Sequence, residues 1–128
     1  MAGASVKFLL DSVILIDHFN DVPQATQYLA RTHNDAVISV ITRAEVLSGF
    51  DALGSTAARR LLDCFPTLPI DKTVADLAAR LRRETRWRLP DAFQAALAQM
   101  NGLRLVTRNS KDFPPQKWPF VLIPYKVK

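Results

Sequence analysis

Asp11, Glu45 and Asp91 each stand where one structural element gives way to the next. Asp11 closes an apolar run that ends at Leu10. Glu45 falls in the first turn of the helix expected after a second such run, Ala36 to Val40. Asp91 follows Pro90 at the opening of a helical stretch, and Asn109 and Asp112 follow a further apolar run that ends at Thr107. In open α/β sheets the carboxyl ends of the strands face the ligand crevice, so these groups are expected along one edge. Carboxylates gathered there repel one another, and the cluster is costly unless a cation neutralises it. An all-oxygen donor set without Cys or His suits Mg²⁺ or Mn²⁺ better than Zn²⁺. Such ions, held by a few carboxylates, serve phosphoryl chemistry: they polarise a phosphate, generate hydroxide from water and stabilise the leaving oxygen. Arg88, Arg108 and Lys111 lie near these acids in sequence and are candidates for contacts to a nucleic-acid backbone. Each acid also has a plainer reading, as a capping or first-turn residue that favours the helix macrodipole. Ser12 and Thr42 are cap candidates too, and Thr42 with Glu45 three residues on meets the capping-box pattern. Spacing alone leaves both readings open.

The elements that must position these groups follow from apolar periodicity. Val6 to Leu10 reads as a buried parallel strand, short and rich in large side chains. Helices are expected over Ile14 to Phe19 and over Gln24 to Thr32, the second with Ala25, Tyr28 and Leu29 on one face. The strand Ala36 to Val40 leads into a helix running toward Phe50. A further helix, Ala57 to Phe65, is followed by a third strand, Pro66 to Ile70, which its prolines weaken. Asp71 to Arg86 is the longest helical pattern, with Val74, Leu77, Ala78 and Leu81 as its apolar stripe. Ala92 to Met100 carries four alanines, so something packs closely against it, and Gly102 is its natural terminator. Leu103 to Thr107 and Phe120 to Ile123 are the last strands. Strands alternating with helices imply an α/β fold of three layers, a mostly parallel sheet of about five strands flanked by helices.

The chain has 128 residues, which makes a single domain over 1–128 the expectation. Its 48% of apolar residues suits a packed core and argues against disorder. The 17 basic and 12 acidic side chains leave a formal charge of +5, which favours polyanionic partners. Asp11 interrupts the early apolar run, and Asp17 and His18 close it without a small-residue cleavage site, so a secretory signal is not expected. No apolar run is long enough to span a bilayer. The one cysteine, Cys64, has no disulfide partner, which fits a reducing cytoplasm. Its apolar neighbours Leu61, Leu62 and Phe65 suggest core packing.

Four motifs in order carry a family resemblance. Leu9-Leu10-Asp11-Ser12-Val13-Ile14-Leu15-Ile16-Asp17 resembles the opening motif of PIN-domain proteins. Ser39-Val40-Ile41-Thr42-Arg43-Ala44-Glu45-Val46-Leu47-Ser48-Gly49 resembles their second motif, with serine, threonine and glutamate in the familiar relative places. Leu89-Pro90-Asp91-Ala92-Phe93-Gln94-Ala95-Ala96 resembles the third, and Leu105-Val106-Thr107-Arg108-Asn109-Ser110-Lys111-Asp112-Phe113 the fourth. Order, spacing and length are similar to the VapC-type toxins of bacterial toxin–antitoxin pairs, over essentially the whole chain. The resemblance implies a Mg²⁺- or Mn²⁺-dependent endoribonuclease, with Asp11, Glu45 and Asp91 in the places of the acidic triad. Asp11 and Asp91 would be the principal metal ligands, with Glu45 completing the site or orienting the water. Asn109 and Asp112 would be accessory, and Ser12 and Thr42 would support the ligands from behind. Val13 departs from the pattern, standing where a polar Asn or Ser is usual, whereas Asn109 falls where the family has Asp or Asn, and its neutrality argues against a second metal position.

The resemblance also implies a small VapB-like antitoxin that blocks the site, homodimerisation, and tRNA, rRNA or mRNA as substrate. Ile14, Leu15, Phe19 and Tyr28 form an apolar face that either receives such a partner or packs in the core. Other readings are a PIN-type RNA-processing nuclease and a degenerate, non-catalytic RNA-binding module. A receiver-like signalling domain is a further alternative, with Asp71 after the third strand, but Lys126 and Lys128 are poorly placed for its lysine.

Overall fold

Five short parallel strands carry the chain: β1 (Phe8–Leu10), β2 (Ala36–Ser39), β3 (Thr67–Leu68), β4 (Arg104–Val106) and β5 (Val121–Leu122). Between them run α1 (Ser12–Phe19), α2 (Pro23–Thr32), α3 (Val40–Leu47), α4 (Gly54–Leu62), α5 (Lys72–Glu84) and α6 (Leu89–Met100). The computed structural model describes residues 6–127; residues 1–5 and Lys128, within the expected span 1–128, lie outside the described residues. The strand order is β3-β2-β1-β4-β5. In register, Leu9 lies beside Val37 on one side and Leu105 on the other, and Leu10 lies beside Val106.

Successive strand residues point to opposite faces, which divides the interior in two. Leu9 and Leu105 face α5 and α6, where Val74, Ala78 and Leu81 meet Ala92, Ala95 and Ala96. Leu10 and Val106 face Ile14 and Leu15 of α1, Tyr28 and Leu29 of α2, Val46 of α3, and Ala58 and Leu62 of α4. The architecture is therefore three layers about a central sheet. Leu9, Leu10 and Leu105 have no exposed surface, and each such burial contributes about 2 kcal/mol. The α6 alanines leave room for α5 to approach closely, and Gly102 ends the helix at φ 63°.

Several boundaries differ from expectation for local reasons. Ser39 is both the last residue of β2 and the cap of α3, its hydroxyl accepting from the Thr42 amide at 3.1 Å. The cap therefore lies three residues before Thr42. Asp11, not Ser12, caps α1. Proline at 66 and 69 trims β3 to two residues on the sheet edge. Cys64 is exposed, contrary to the core packing expected. The helical period turns Leu62 and Phe65 inward and Cys64 out. Asp71 caps α5, accepting from the Val74 amide at 3.0 Å. Among the described residues no helix is long and apolar enough to cross a membrane.

Candidate active site

The chain leaves β1 toward β2 on one side and later adds β4 on the other. The carboxyl ends of β1 and β4 thus frame the point where the strand order reverses, the usual place for a ligand crevice. Asp11 sits there, 8% exposed, with its amide donating to the Val106 carbonyl at 2.9 Å. Its Oδ1 accepts from the Ser12 amide at 2.9 Å and from Gln94 Nε2 at 3.3 Å. Its Oδ2 accepts from the Thr107 hydroxyl at 2.7 Å. Three donors from α1, α6 and the end of β4 thus hold one carboxylate in one orientation.

Gln94 is the hub of this arrangement and lies at 1% exposure. Its Oε1 accepts from the Ser39 hydroxyl at 2.7 Å, and its Nε2 also donates to the Thr42 hydroxyl at 2.8 Å. Thr42 in turn donates to the Leu10 carbonyl at 3.1 Å. Every member is partnered, so the network is rigid rather than costly. Thr42 therefore supports Asp11 from behind. Gln94 is not among the residues that the sequence singles out; a lone amide among Ala92, Phe93, Ala95, Ala96 and Leu97 is the signal it offers.

Asp11 lines a cleft of about 430 Å³ together with Ser12, Val13, Glu45, Arg88, Asp91, Arg108 and Asn109. The three acids from three separate segments share this one concavity. Among the described residues no three His, Cys, Asp or Glu side chains stand close enough together to enclose a metal ion as they are. The acids converge on the cleft without forming a closed ligand shell. Their electrostatic effect is nonetheless large. The Asp91 carboxyl is pushed up to about 6, by burial first and then by the charge of Asp11; Arg88 opposes this, and Asp112 and Glu45 add to it. The cleft is short of positive charge, and its hard oxygen donors match Mg²⁺ or Mn²⁺.

The accessory candidates divide. Asn109 reaches the cleft wall, but its amide is turned to Asp112. Its Nδ2 donates to Asp112 Oδ2 at 2.9 Å, and its Oδ1 accepts from the Asp112 amide at 3.2 Å. Asp112 does not line this cleft. Arg88 does, and is exposed. Lys111 faces a neighbouring cleft instead.

Arg108 turns inward. Its Nε and Nη2 donate to Asp17 at 2.5 and 2.8 Å, and Tyr125 donates to the same carboxylate at 2.9 Å. Two guanidinium nitrogens are thus committed within the protein. Asp17 is 5% exposed. Burial would raise its pKa, but hydrogen bonds from Arg108 and Tyr125 and the Arg108 charge together hold it below the usual carboxylate range. This trio joins α1 to the segments after β4 and β5.

These features define an α/β protein with an acidic cleft at the strand-order reversal of a parallel sheet. The family model for the PIN domain matches residues 8–114, and the chain belongs to the PIN-domain family, to its VapC type. It is 34% identical over 113 residues to Ribonuclease VapC10 of Mycobacterium tuberculosis, covering 83% of this chain and 85% of that protein. Among solved structures it is similar to a toxin–antitoxin complex from Klebsiella pneumoniae, with 36% identity, a TM-score of 0.86, and coverage of 94% of this chain and 100% of that one. FitAcB from Neisseria gonorrhoeae shares the fold, with 22% identity, a TM-score of 0.76, and coverage of 94% and 99%.

Proposed function

We propose that this chain is a divalent-metal-dependent endoribonuclease and the toxin of a toxin–antitoxin pair. The observation that carries the reading is the convergence of Asp11, Glu45 and Asp91 on one cleft, where burial first and the neighbouring acids second push the Asp91 carboxyl up to about 6. Asp11 and Asp91 are the principal ligands for Mg²⁺ or Mn²⁺. When bound, the ion supplies an acidified water and polarises the scissile phosphate. Glu45 orients the attacking water and takes its proton. Gln94 and Thr107 keep the Asp11 carboxylate from rotating away. Arg88 offsets phosphate charge at the cleft rim. Asn109 and Asp112 shape the turn beside Asp91. Single-stranded or loop RNA is the expected substrate, because base-paired RNA hides its bases from side chains. The relatives' names, a ribonuclease and a toxin–antitoxin complex, support the reading, as does a formal charge of +5.

The test is cleavage of total RNA by purified, partner-free protein with Mg²⁺, with Mn²⁺ and with EDTA. Cleavage should require the metal. RNA binding that persists in EDTA, with no cleavage under any metal by folded protein, would replace the nuclease with a non-catalytic RNA-binding module.

The partner is a small antitoxin, and the working form is a cytoplasmic homodimer. Of the apolar face considered from sequence, Ile14, Leu15 and Tyr28 are spent in the core. Phe19 instead stacks edge-on against Phe50 at 5.0 Å and opens onto a cleft of about 180 Å³ between α1 and α3. That cleft, with Ile16 and Val46, runs to Glu45. An apolar antitoxin segment seated there would end at the catalytic acids. Phe19→Asp should therefore abolish co-purification with the co-expressed antitoxin while leaving metal-dependent cleavage intact. Retention of the partner by the variant would discard this site.

A further inference from the structure

A second cleft, of about 390 Å³, opens beside the acidic one, between the loop that joins α5 to α6 and the segment that follows β4. Its floor is aromatic. Trp87, 5% exposed, donates its indole N–H to the Asp112 carbonyl at 2.8 Å and packs against Phe113 and Trp118, each with ring centroids 4.8 Å away. Trp118 is half-buried on this base, with the Lys117 ammonium 5.5 Å above its ring. The walls carry Arg86, Lys111 and Lys117, all exposed and without an ion-pair partner among the described residues. The two acids at the same walls are already engaged. Glu84 stands 4.0 Å from Arg80, and Asp112 accepts from Asn109. Three cations against two acids leave the lining of the cleft net positive. Arg86 adds a sign of its own, holding φ 100° with a side chain in place of glycine. Backbone strain of this kind gathers at binding sites.

The two clefts share a wall. Arg88, one residue beyond Trp87, lines the acidic cleft, and Asn109 of the acidic cleft is hydrogen-bonded to Asp112 of the aromatic one. The two clefts are therefore neighbours across the α5–α6 loop and the turn after β4.

We propose that the Trp118 cleft is a subsite for a nucleotide flanking the scissile phosphate of single-stranded RNA. The base stacks on Trp118 where the Lys117 ammonium now lies. Lys117, released, joins Arg86 and Lys111 on the adjoining phosphates. Every base has a π face, so the subsite selects for an unpaired strand more than for a particular base. This assignment rests on the ribonuclease reading for its position relative to the scissile bond, but its binding test stands without it.

The experiment uses a fluorescein-labelled, unstructured 12-nucleotide RNA and Asp91→Asn protein in EDTA, so that binding is read by anisotropy without cleavage. Arg86→Gly keeps the backbone angle and Lys117→Glu changes an exposed side chain, so both variants should fold. Together they should weaken binding by at least tenfold and reduce the slope of log affinity against log salt by about 1.4, two phosphate contacts on a single strand. Trp118→Leu should cost roughly tenfold and remove the RNA-induced quenching of tryptophan fluorescence. In the otherwise unmutated protein, Arg86→Gly and Lys117→Glu should slow metal-dependent cleavage of the 12-mer. Unchanged affinity and salt slope would overturn the subsite, as would equal competition by an acidic peptide. If protein carrying native Asp91 cleaves nothing but the binding losses appear, the nuclease reading falls and the subsite stands. If that protein cleaves and the variants bind as their parent does, the reverse holds.

Discussion

Asp91→Asn should abolish metal-dependent cleavage and at the same time make the metal-free protein more stable. The carboxyl is held at about 6 against an ordinary 3.8, because it is partly buried among Asp11, Asp112 and Glu45 with only Arg88 to offset them. Between these two values the unfolded chain has released the proton and the folded chain still holds it. Stability therefore falls as pH rises from about 3.8 through 6, and stays reduced above. The shift would correspond to about 3 kcal/mol in a dry site; discounted for solvent screening of a half-exposed group, about 1 kcal/mol is expected. The amide carries no charge and escapes this penalty, so at pH 7.5 in EDTA its melting temperature should be higher by roughly 3–5 °C. At pH 3 the gain should vanish. Mn²⁺ should raise the melting temperature of the native protein at pH 7.5 and leave that of the Asp91→Asn variant nearly unmoved. Thermal melts at the two pH values, with and without Mn²⁺, decide this. A variant less stable than its parent at pH 7.5 would mean that Asp91 is a structural cap and not a strained ligand.

Arg108→Ala should destabilise the fold by about 3 kcal/mol, because it leaves a buried carboxylate without its charge partner. Asp17 would keep only the Tyr125 hydroxyl. Removing both ends of the pair, as Asp17→Leu with Arg108→Ala, should cost less than removing Arg108 alone. The pH dependence follows from the direction of the Asp17 shift. Its folded pKa lies below the ordinary 3.8, so the stabilisation is fully present above 3.8 and is lost as pH falls through the lower folded value. The gap between native and Arg108→Ala proteins in urea melts should therefore be wide at pH 7 and narrow below pH 3.8. Equal stability at pH 7 would reduce the pair to a surface contact. Cleavage should fall as well, because Arg108 lies between Thr107, which holds Asp11, and Asn109.

Asp11 was legible in sequence because its position follows from a local rule, an apolar run and then a polar residue where strand becomes helix, and Asp91 because it follows a proline at a helix start. Glu45, expected in the first turn of its helix, lies in the second turn of α3, because the helix begins at Val40. The rule that located Asp11 also located the sheet, since Leu9, Leu10, Leu105 and Val106 are apolar whichever face they meet. The Asp17–Arg108 pair was not legible. It joins residues 91 apart, and the β1–β4 register that brings them together leaves no trace in either segment alone. Ser39 was hidden for another reason. No loop separates β2 from α3, so one residue ends the strand and caps the helix, while Thr42 with Glu45 three residues on mimics a capping box inside the helix. The Trp118 cleft depends on the same long-range pairing, and its tryptophans are 31 positions apart.

The pairing of β1 with β4 has a consequence during synthesis. Asp11 leaves the ribosome early, yet the Val106 carbonyl and Thr107 hydroxyl that fix it come 95 and 96 residues later. At ordinary elongation rates that interval is roughly 5–20 s. Until it has passed, the growing chain has helices and a partial sheet but no assembled acidic cleft. The nuclease site is thus among the last parts of this domain to form, and Asp11 has no fixed orientation until β4 has emerged.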